Sequence, residues 1–350
     1  MQIMAKLTFW VILFLVNGLL SLGAVYANAP ALTPSVGECH EQWRSHDRMD
    51  LGSQLIVGFY GVTPTDAGVI EVRRLIDANK IAGVVLLQRN IESPHQLQKL
   101  TSFLKSTRPC LIVAVDQEGG SVQRLHRNQG FVGLKGARRM ADRHTLEEAK
   151  KRYKLSMTEM REMGINVNFA PVVDLDRHLD HSELEKRRFY GDDAQRVSAY
   201  ASAFITACRS AGILCVVKHY PGLGSSDLDT HHVSVDVSDS WTSTESQPYL
   251  TLAQQGILSA VMLAHVMQRD VDVNLPASLS KQHVQRVRAL NPEAIVVTDS
   301  LNMSAITNDY DLQRVISSLK ETSIDWYLWV DIPHNSLSLT DFVDGLHMLH

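Results

Sequence analysis

Cysteine is scarce in this chain. There are four, Cys39, Cys110, Cys208 and Cys215, and no C-x-x-C pair, so a structural zinc site of the finger kind has no support. Four cysteines allow three disulfide connectivities, and the spacing selects none. The plain alternative for Cys110 and Cys215, each beside an apolar run, is that of a small buried hydrophobe. A basic tail or stripe is also missing: the formal charge is -4 and is spread along the chain, which excludes a surface built to neutralise a nucleic-acid backbone. No glycine-rich phosphate turn follows the first apolar run, where Tyr60-Gly61-Val62-Thr63-Pro64 stands instead, and this weighs against a doubly wound dinucleotide-binding sheet. Without a Gly/Ser-rich linker, low-complexity stretch or short repeat, the mature chain reads as one domain.

Long apolar runs are absent as well. The N-terminal one, Leu7 to Val16, follows Lys6, is interrupted at Asn17-Gly18 and leads into the small residues Gly23, Ala24 and Ala27. It falls short of the roughly 20 residues that span a bilayer. This is a signal-peptide layout with cleavage after Ala27, since cleavage after Ala29 would put Pro30 first. The expected organisation is a signal peptide at 1–27, an N-terminal lead-in at 28–50 and a folded unit at 51–350. Export without a stable membrane anchor is expected.

Short apolar runs, in contrast, recur eight times: Leu55 to Phe59, Gly83 to Leu87, Leu111 to Val115, Val167 to Val172, Leu214 to Val217, Ser259 to Ala264, Ala294 to Val297 and Trp326 to Val330. Runs of four to six residues, apolar on both alternating faces, indicate parallel strands covered on both sides. Helical stretches such as Leu146 to Met163 and Ala194 to Ser210 lie between them. Eight such units predict an α/β fold, a single (β/α)8 TIM barrel. In such barrels the working residues stand at the C-terminal strand ends. Asp116-Gln117-Glu118, Asp174, Lys218-His219, His265 and Asp299 follow the third to seventh runs in turn.

Three segments carry candidate chemistry. Asp299 ends Ile295-Val296-Val297-Thr298-Asp299, where it would be either a rigidly held carboxylate at the barrel mouth or a helix N-cap. The loop from Lys218-His219-Tyr220-Pro221-Gly222 to Asp229-Thr230-His231-His232 places an acid two residues before a histidine. An Asp-x-His pair orients the ring and stabilises its protonated form, and an imidazole with a pKa of about 6.5 transfers protons readily near neutrality. A metal site from His219, Asp229 and His231 is the competitor, but the spacing matches no zinc signature. The stretch Val115-Asp116-Gln117-Glu118-Gly119-Gly120-Ser121-Val122-Gln123-Arg124 offers charged groups for strong hydrogen bonds to a sugar, or else a structural ion pair.

Together these blocks resemble the glycoside hydrolase family 3 β-N-acetylhexosaminidases, the single-barrel branch known for cell-wall recycling. The matching segments are Val115 to Gly120 with Val122-Gln123-Arg124, Asn168 to Leu175, Lys218 to His231, Val261 to His265, and Thr298 to Met303, in family order from about Leu51 onward. The resemblance implies Asp299 as nucleophile, Asp229 and His231 as acid/base dyad, and Asp116, Arg124, Arg187, Lys218 and His219 as substrate-binding residues. It also implies a retaining exo-β-N-acetylglucosaminidase that needs no metal or cofactor. A neutral histidine can serve beside an anionic nucleophile without adding a second negative charge.

Some positions depart from the pattern: Leu223 where a histidine is common, Ser300 for a second acid, Leu263 for a proline, and an unusual approach from His181 to Lys186. The expected partner is an N-acetylglucosamine-containing glycan, either peptidoglycan fragments or chitin-like oligosaccharides met in the periplasm or outside the cell. Two alternatives remain: a β-N-acetylglucosaminide phosphorylase, or a cell-wall sugar-binding protein without turnover. Oligomeric state is not readable from the sequence.

Overall fold

A computed structural model describes residues 34, 36–44, 54–177, 186–226, 233–331 and 338–349. The expected signal segment, the expected acid/base pair Asp229/His231 and the approach to Arg187 lie outside them, apart from Lys186. The eight apolar runs form eight parallel strands: β1 Leu55–Gly58, β2 Gly83–Leu86, β3 Ile112–Val115, β4 Val167–Asn168, β5 in two pieces (Leu214–Cys215 and Val217–Tyr220), β6 Ala260–Leu263, β7 Ile295–Ser300 and β8 Trp326–Trp329.

Closure of the ring follows from β5. Its first piece pairs with β4 (Val167↔Leu214) and its second with β6 (Val217↔Val261), so the two ends of the hydrogen-bonded order belong to one strand. Val216 between them donates to the Asn168 carbonyl at 2.9 Å. On the other side β1 joins β8 with Leu55 opposite Tyr327. Among the described residues the ring itself leaves no open edge for pairing with another chain.

Helices run between the strands: α1 Val36–Arg44 precedes β1, and α2 Ala67–Asp77, α3 Pro94–Lys105, α4 Ala137–Arg143, α5 Leu146–Glu162, α6 Ala194–Ala211, α7 Gln247–Gln254, α8 Lys281–Leu290, α9 Leu312–Glu321 and α10 Leu339–Leu349 follow. Local sequence fixes their ends. Thr145 and Glu148 form a reciprocal capping box at the start of α5, as the Thr-x-x-Glu spacing dictates. Asp193 caps α6, which stops at Gly212 in the left-handed region. Among the described residues no helix is long and apolar enough to cross a membrane.

The alternation of each strand separates two cores. Ile56, Val85, Ile112, Ala114, Val167, Phe169, Met262, Val297 and Trp326 fill the barrel interior. Their neighbours Val57, Val84, Val113, Val261, Val296 and Tyr327 pack outward against the helices. Helix α1 closes the floor. Trp43 meets Trp326 edge to face at 5.8 Å and donates its indole N–H to the Cys110 carbonyl at 2.7 Å, and Arg44 pairs with Glu293. All these contacts lie at the N-terminal strand ends, opposite the face where such barrels work.

Cys39 of α1 is disulfide-bonded to Cys110 just before β3, and Cys208 of α6 to Cys215 of β5. The expectation that Cys110 and Cys215 are free buried hydrophobes is therefore corrected. Cys215 is buried and Cys110 partly buried, and each is paired. The Cys39–Cys110 bond closes a loop with a sequence separation of 71 residues. Replacing both cysteines with alanine is expected to cost about 2–4 kcal/mol, because the unfolded chain regains loop entropy, and urea unfolding with and without the substitutions measures it.

Candidate active site

The polar strand ends converge at the C-terminal mouth. Gln117 organises the loop after β3: its side-chain oxygen accepts the backbone N–H of Arg124 at 2.8 Å and of Leu125 at 3.1 Å, which folds the segment back and presents the Arg124 side chain beside Asp116. The fold-back needs glycine. Gly119 and Gly120 have φ of +98° and +66°, and a Cβ on Gly119 would lie 2.4 Å from the Lys135 carbonyl oxygen.

Across the loop runs a chain of alternating charges. Arg124 lies 3.5 Å from Asp116, Lys218 Nζ is 2.9 Å from Asp116 and 2.8 Å from Glu118, and Arg188 grips both oxygens of Glu118 at 2.9 Å. Three cations against two carboxylates leave the chain one positive charge in excess. Lys218 and Glu118 are almost wholly buried, at 4% side-chain exposure each, so neither charge would be tolerable alone. Burial opposes ionisation of Glu118, but Arg188 and Lys218 outweigh it and hold the carboxyl far below its ordinary range.

His219, next along β5, is fixed from behind by Asp174. The carboxylate lies 2.7 Å from His219 Nδ1 and accepts the backbone N–H of Leu223 at 3.0 Å. Asp174 is buried, and as an acceptor at Nδ1 it orients the His219 ring from behind. Leu223, where a histidine is common in the family that the sequence resembles, packs with Trp241 against a small apolar cluster that includes Val235 and Val266.

Asp299 stands on β7 itself, the fifth residue of a six-residue strand, and does not cap a helix. Ser300 N–H donates to its Oδ1 at 2.7 Å. Burial pushes the carboxyl up, yet His265, His219 and Lys218 outweigh that and hold it below its ordinary value, so it is ionised at neutral pH. Ser300 contributes no acid. Its hydroxyl bonds Asn302 at 2.6 Å and accepts the Val330 N–H at 3.1 Å, tying β7 to β8, while its carbonyl lies 2.8 Å from His265 Nε2.

Of the residues singled out in the sequence, Asp116, Arg124, Lys218, His219 and Asp299 thus share one face of the barrel. Arg187 is exposed, and the inward guanidinium in this part of the chain is that of Arg188. Glu118, Arg188, Asp174 and His265 belong to the site through partners far along the chain. Asp174 and His265 were visible as polar strand ends, but nothing in the sequence shows what they touch.

The glycosyl hydrolase family 3 N terminal domain model matches residues 54–347. The chain belongs to that family. A Pseudomonas aeruginosa protein named Beta-hexosaminidase is 36% identical over 243 residues, which is 67% of this chain and 70% of the relative. One of the same name from Hydrogenovibrio crunogenus is 37% identical over 263 residues, 71% of this chain and 72% of the relative. Among solved structures, a family 3 β-N-acetylglucosaminidase from Paenibacillus sp. str. FPU-7 superposes with a TM-score of 0.74 at 28% identity over 87% of this chain. This chain spans 58% of that protein. A family 3 glycosyl hydrolase from Mycobacterium smegmatis gives a TM-score of 0.72 at 27% identity, covering 87% and 89% of the two chains. The chain is a glycoside hydrolase on an α/β TIM barrel.

Behind the loop after β5 lies one further titratable group. Glu245 is 1% exposed, and a Cβ on Gly222 would meet its side chain at 2.8 Å. Burial raises its carboxyl above the ordinary 4.5. A raised carboxyl pKa makes the folded state hold its proton longer than the unfolded one, so the contribution to stability declines as pH rises from that value upward. Glu245→Gln removes the titration, and its gain in melting temperature over wild type is expected to be larger at pH 7 than at pH 5.

Proposed function

We propose that this chain is a retaining exo-β-N-acetylglucosaminidase, exported from the cytoplasm, that removes terminal β-linked N-acetylglucosamine from peptidoglycan fragments or chitin-like oligosaccharides. The observation that carries the proposal is Asp299: a carboxylate on a barrel strand, kept ionised by His265, His219 and Lys218 and making, among the described residues, one hydrogen bond, to its own neighbour. Such a group is rigid, charged and uncommitted, as a nucleophile must be. The name Beta-hexosaminidase carried by relatives at 36% and 37% identity supports the sugar class. Disulfides support export, since they persist in oxidising compartments.

In the proposed cycle Asp299 attacks the anomeric carbon. The bond from that carbon to the glycosidic oxygen breaks, and His231, oriented by Asp229, gives its proton to the departing oxygen. Water then attacks the glycosyl ester from the opposite side, His231 takes the water's proton, and the carboxylate of Asp299 leaves as it began. Lys218, Arg124 and Asp116 hold the sugar hydroxyls by charge-assisted bonds, which strengthen as charge develops on the ring.

The test is the first sugar released from an aryl N-acetyl-β-glucosaminide by the mature chain, followed by proton NMR before mutarotation. The β anomer is expected. The α anomer would replace retention with inversion. In phosphate buffer, a sugar 1-phosphate would transfer the chain to the phosphorylase reading. A folded protein that binds N-acetylglucosamine without turnover would make it a binding protein.

A further inference from the structure

Six residues, 227–232, separate Ser226 from Val233 in the chain, and they include Asp229 and His231. The arms on either side of them are held. The entry arm, Pro221 to Ser226, lies against the loop after β4: Leu223 N–H donates to Asp174, Arg177 N–H donates to the Gly224 carbonyl at 3.2 Å, and a Cβ on Gly224 would lie 1.7 Å from the Leu175 carbonyl oxygen. The exit arm, Val233 to Val237, is attached to the segments after β6 and β7. Val235–Asp236 pairs in parallel with Val266–Met267, and Val237 N–H donates to the Met267 carbonyl at 2.9 Å. The Ser234 hydroxyl donates to Asp309, in the segment that follows the strand of Asp299.

Trp241 joins the two arms. Its backbone N–H donates to the Val237 carbonyl at 2.8 Å and closes a turn on the exit arm, while its indole N–H reaches the Pro221 carbonyl of the entry arm at 3.0 Å. Beside it Ser240 Oγ donates to Ser225 Oγ at 3.4 Å. Below, Leu223 from one arm and Val235 and Val237 from the other meet on one small apolar cluster with Ala264, Val266 and Ala277, and the Trp241 ring packs on it. This cluster is separate from the barrel interior and from the layer beneath the helices, so the packing between the arms depends on it. Gly222 leaves the contact tight: a Cβ there would lie 3.4 Å from the indole nitrogen. Leu223, where a histidine is common in the family, supplies apolar surface to the same cluster.

We propose that Trp241 is a positioning residue for the acid/base step: by joining the arms on either side of 227–232 it sets the reach of His231 to the departing oxygen. The inference rests on the glycosidase reading above and adds to it a group that governs proton transfer and leaves the nucleophile alone. Proton transfer needs donor and acceptor within about 2.6–3.2 Å. A misplacement of about 1 Å, caused by a change far from the chemistry, can cost on the order of 100-fold.

The experiment measures kcat/KM, which reports attack by Asp299 and departure of the phenol, on the 2,4-dinitrophenyl, 4-nitrophenyl and 4-methoxyphenyl N-acetyl-β-glucosaminides. The dinitrophenolate departs without a proton, and the methoxyphenolate needs one. Trp241→Ala is expected to stay within about threefold of wild type on the first and to lose about 30-fold or more on the last, because loss of a general acid costs about 10²–10⁴-fold only where a proton is required. Trp241→Phe keeps a ring on the small cluster and removes the N–H that holds Pro221, so it should show the same gradient at smaller size. His231→Ala is the reference and should be the steepest of the three. A purely structural lesion would lower all three substrates by one factor. An equal loss on the three substrates in Trp241→Ala, or no loss, beside a graded loss in His231→Ala would overturn the proposal alone. An ungraded loss in His231→Ala overturns the acid/base reading, and the role of Trp241 with it. If Trp241→Ala melts below the assay temperature, Trp241→Phe decides by the same criterion.

Discussion

Asp299→Ala is expected to lower hydrolysis of an aryl N-acetyl-β-glucosaminide by on the order of 10⁴-fold or more, with the fold intact. The size follows from the role: without the carboxylate no covalent step remains, and the other groups hold a sugar that nothing attacks. The intact fold follows from the surroundings, because among the described residues the side chain makes one hydrogen bond, to its neighbour's backbone, and bridges no two elements. A small anion in the vacated space supplies the discriminating result. Azide should restore turnover of the variant and form an α-glycosyl azide, since it attacks from the face that Asp299 occupied and no second displacement follows. Residual activity within tenfold of wild type would move the nucleophile elsewhere. The wild-type acid limb belongs to the same argument. A carboxyl held below its ordinary value of 3.8 stays ionised as pH falls, so loss of kcat/KM from this group is expected only at or beneath that value.

The barrel was legible because each of its strands is a continuous apolar run, and because polar side chains follow five of them in a row. Lengths were less legible, for local reasons. The run Val167 to Val172 predicts a six-residue strand, but the ladder covers Val167–Asn168 and resumes as one bridge at Val172, since Pro171 has no N–H to donate. The run Ala294 to Val297 is continued by Thr298, Asp299 and Ser300, whose polarity hides that they are still strand. Thr298 Oγ1 accepts the Leu328 N–H at 3.1 Å and extends the pairing by side chain.

Site residues were legible where a motif stands at a strand end, and illegible where membership depends on a distant partner. Glu118 and Arg188 are 70 residues apart, and Asp174 and His219 are 45 apart. No local pattern links them until the barrel closes. Cys39 and Cys110 are a further case, since only the seating of α1 on the floor brings them together. Arg187 shows the converse. The resemblance implies Arg187 in substrate binding, but two adjacent arginines point to different environments, and the chain places Arg188 on Glu118 and leaves Arg187 exposed.

The alternating charges around Lys218 lead to the largest stability effect. Glu118→Ala removes the one carboxylate that both Lys218 and Arg188 share and, among the described residues, leaves a buried ammonium paired with Asp116 alone and a guanidinium with no ion-paired acid. Breaking a buried pair from one side costs roughly 3–5 kcal/mol, because the stranded charge retains its desolvation penalty without the attraction that offset it. Glu118→Gln keeps some hydrogen bonding and should cost less. Adding Arg188→Met to Glu118→Ala removes one stranded cation and should recover part of the loss, so the double-mutant cycle reads the coupling directly. The pH dependence has a definite sign. Because the folded carboxyl is far below its ordinary 4.5, its contribution is complete above that value and is lost as pH falls, so wild type should weaken in acid more steeply than Glu118→Gln. Urea midpoints for the four proteins at pH 7 and pH 4 measure both. A cost below about 1 kcal/mol for Glu118→Ala would mean that water reaches Lys218 and Arg188, and that the site's positive charge is solvated, not held ready for a sugar.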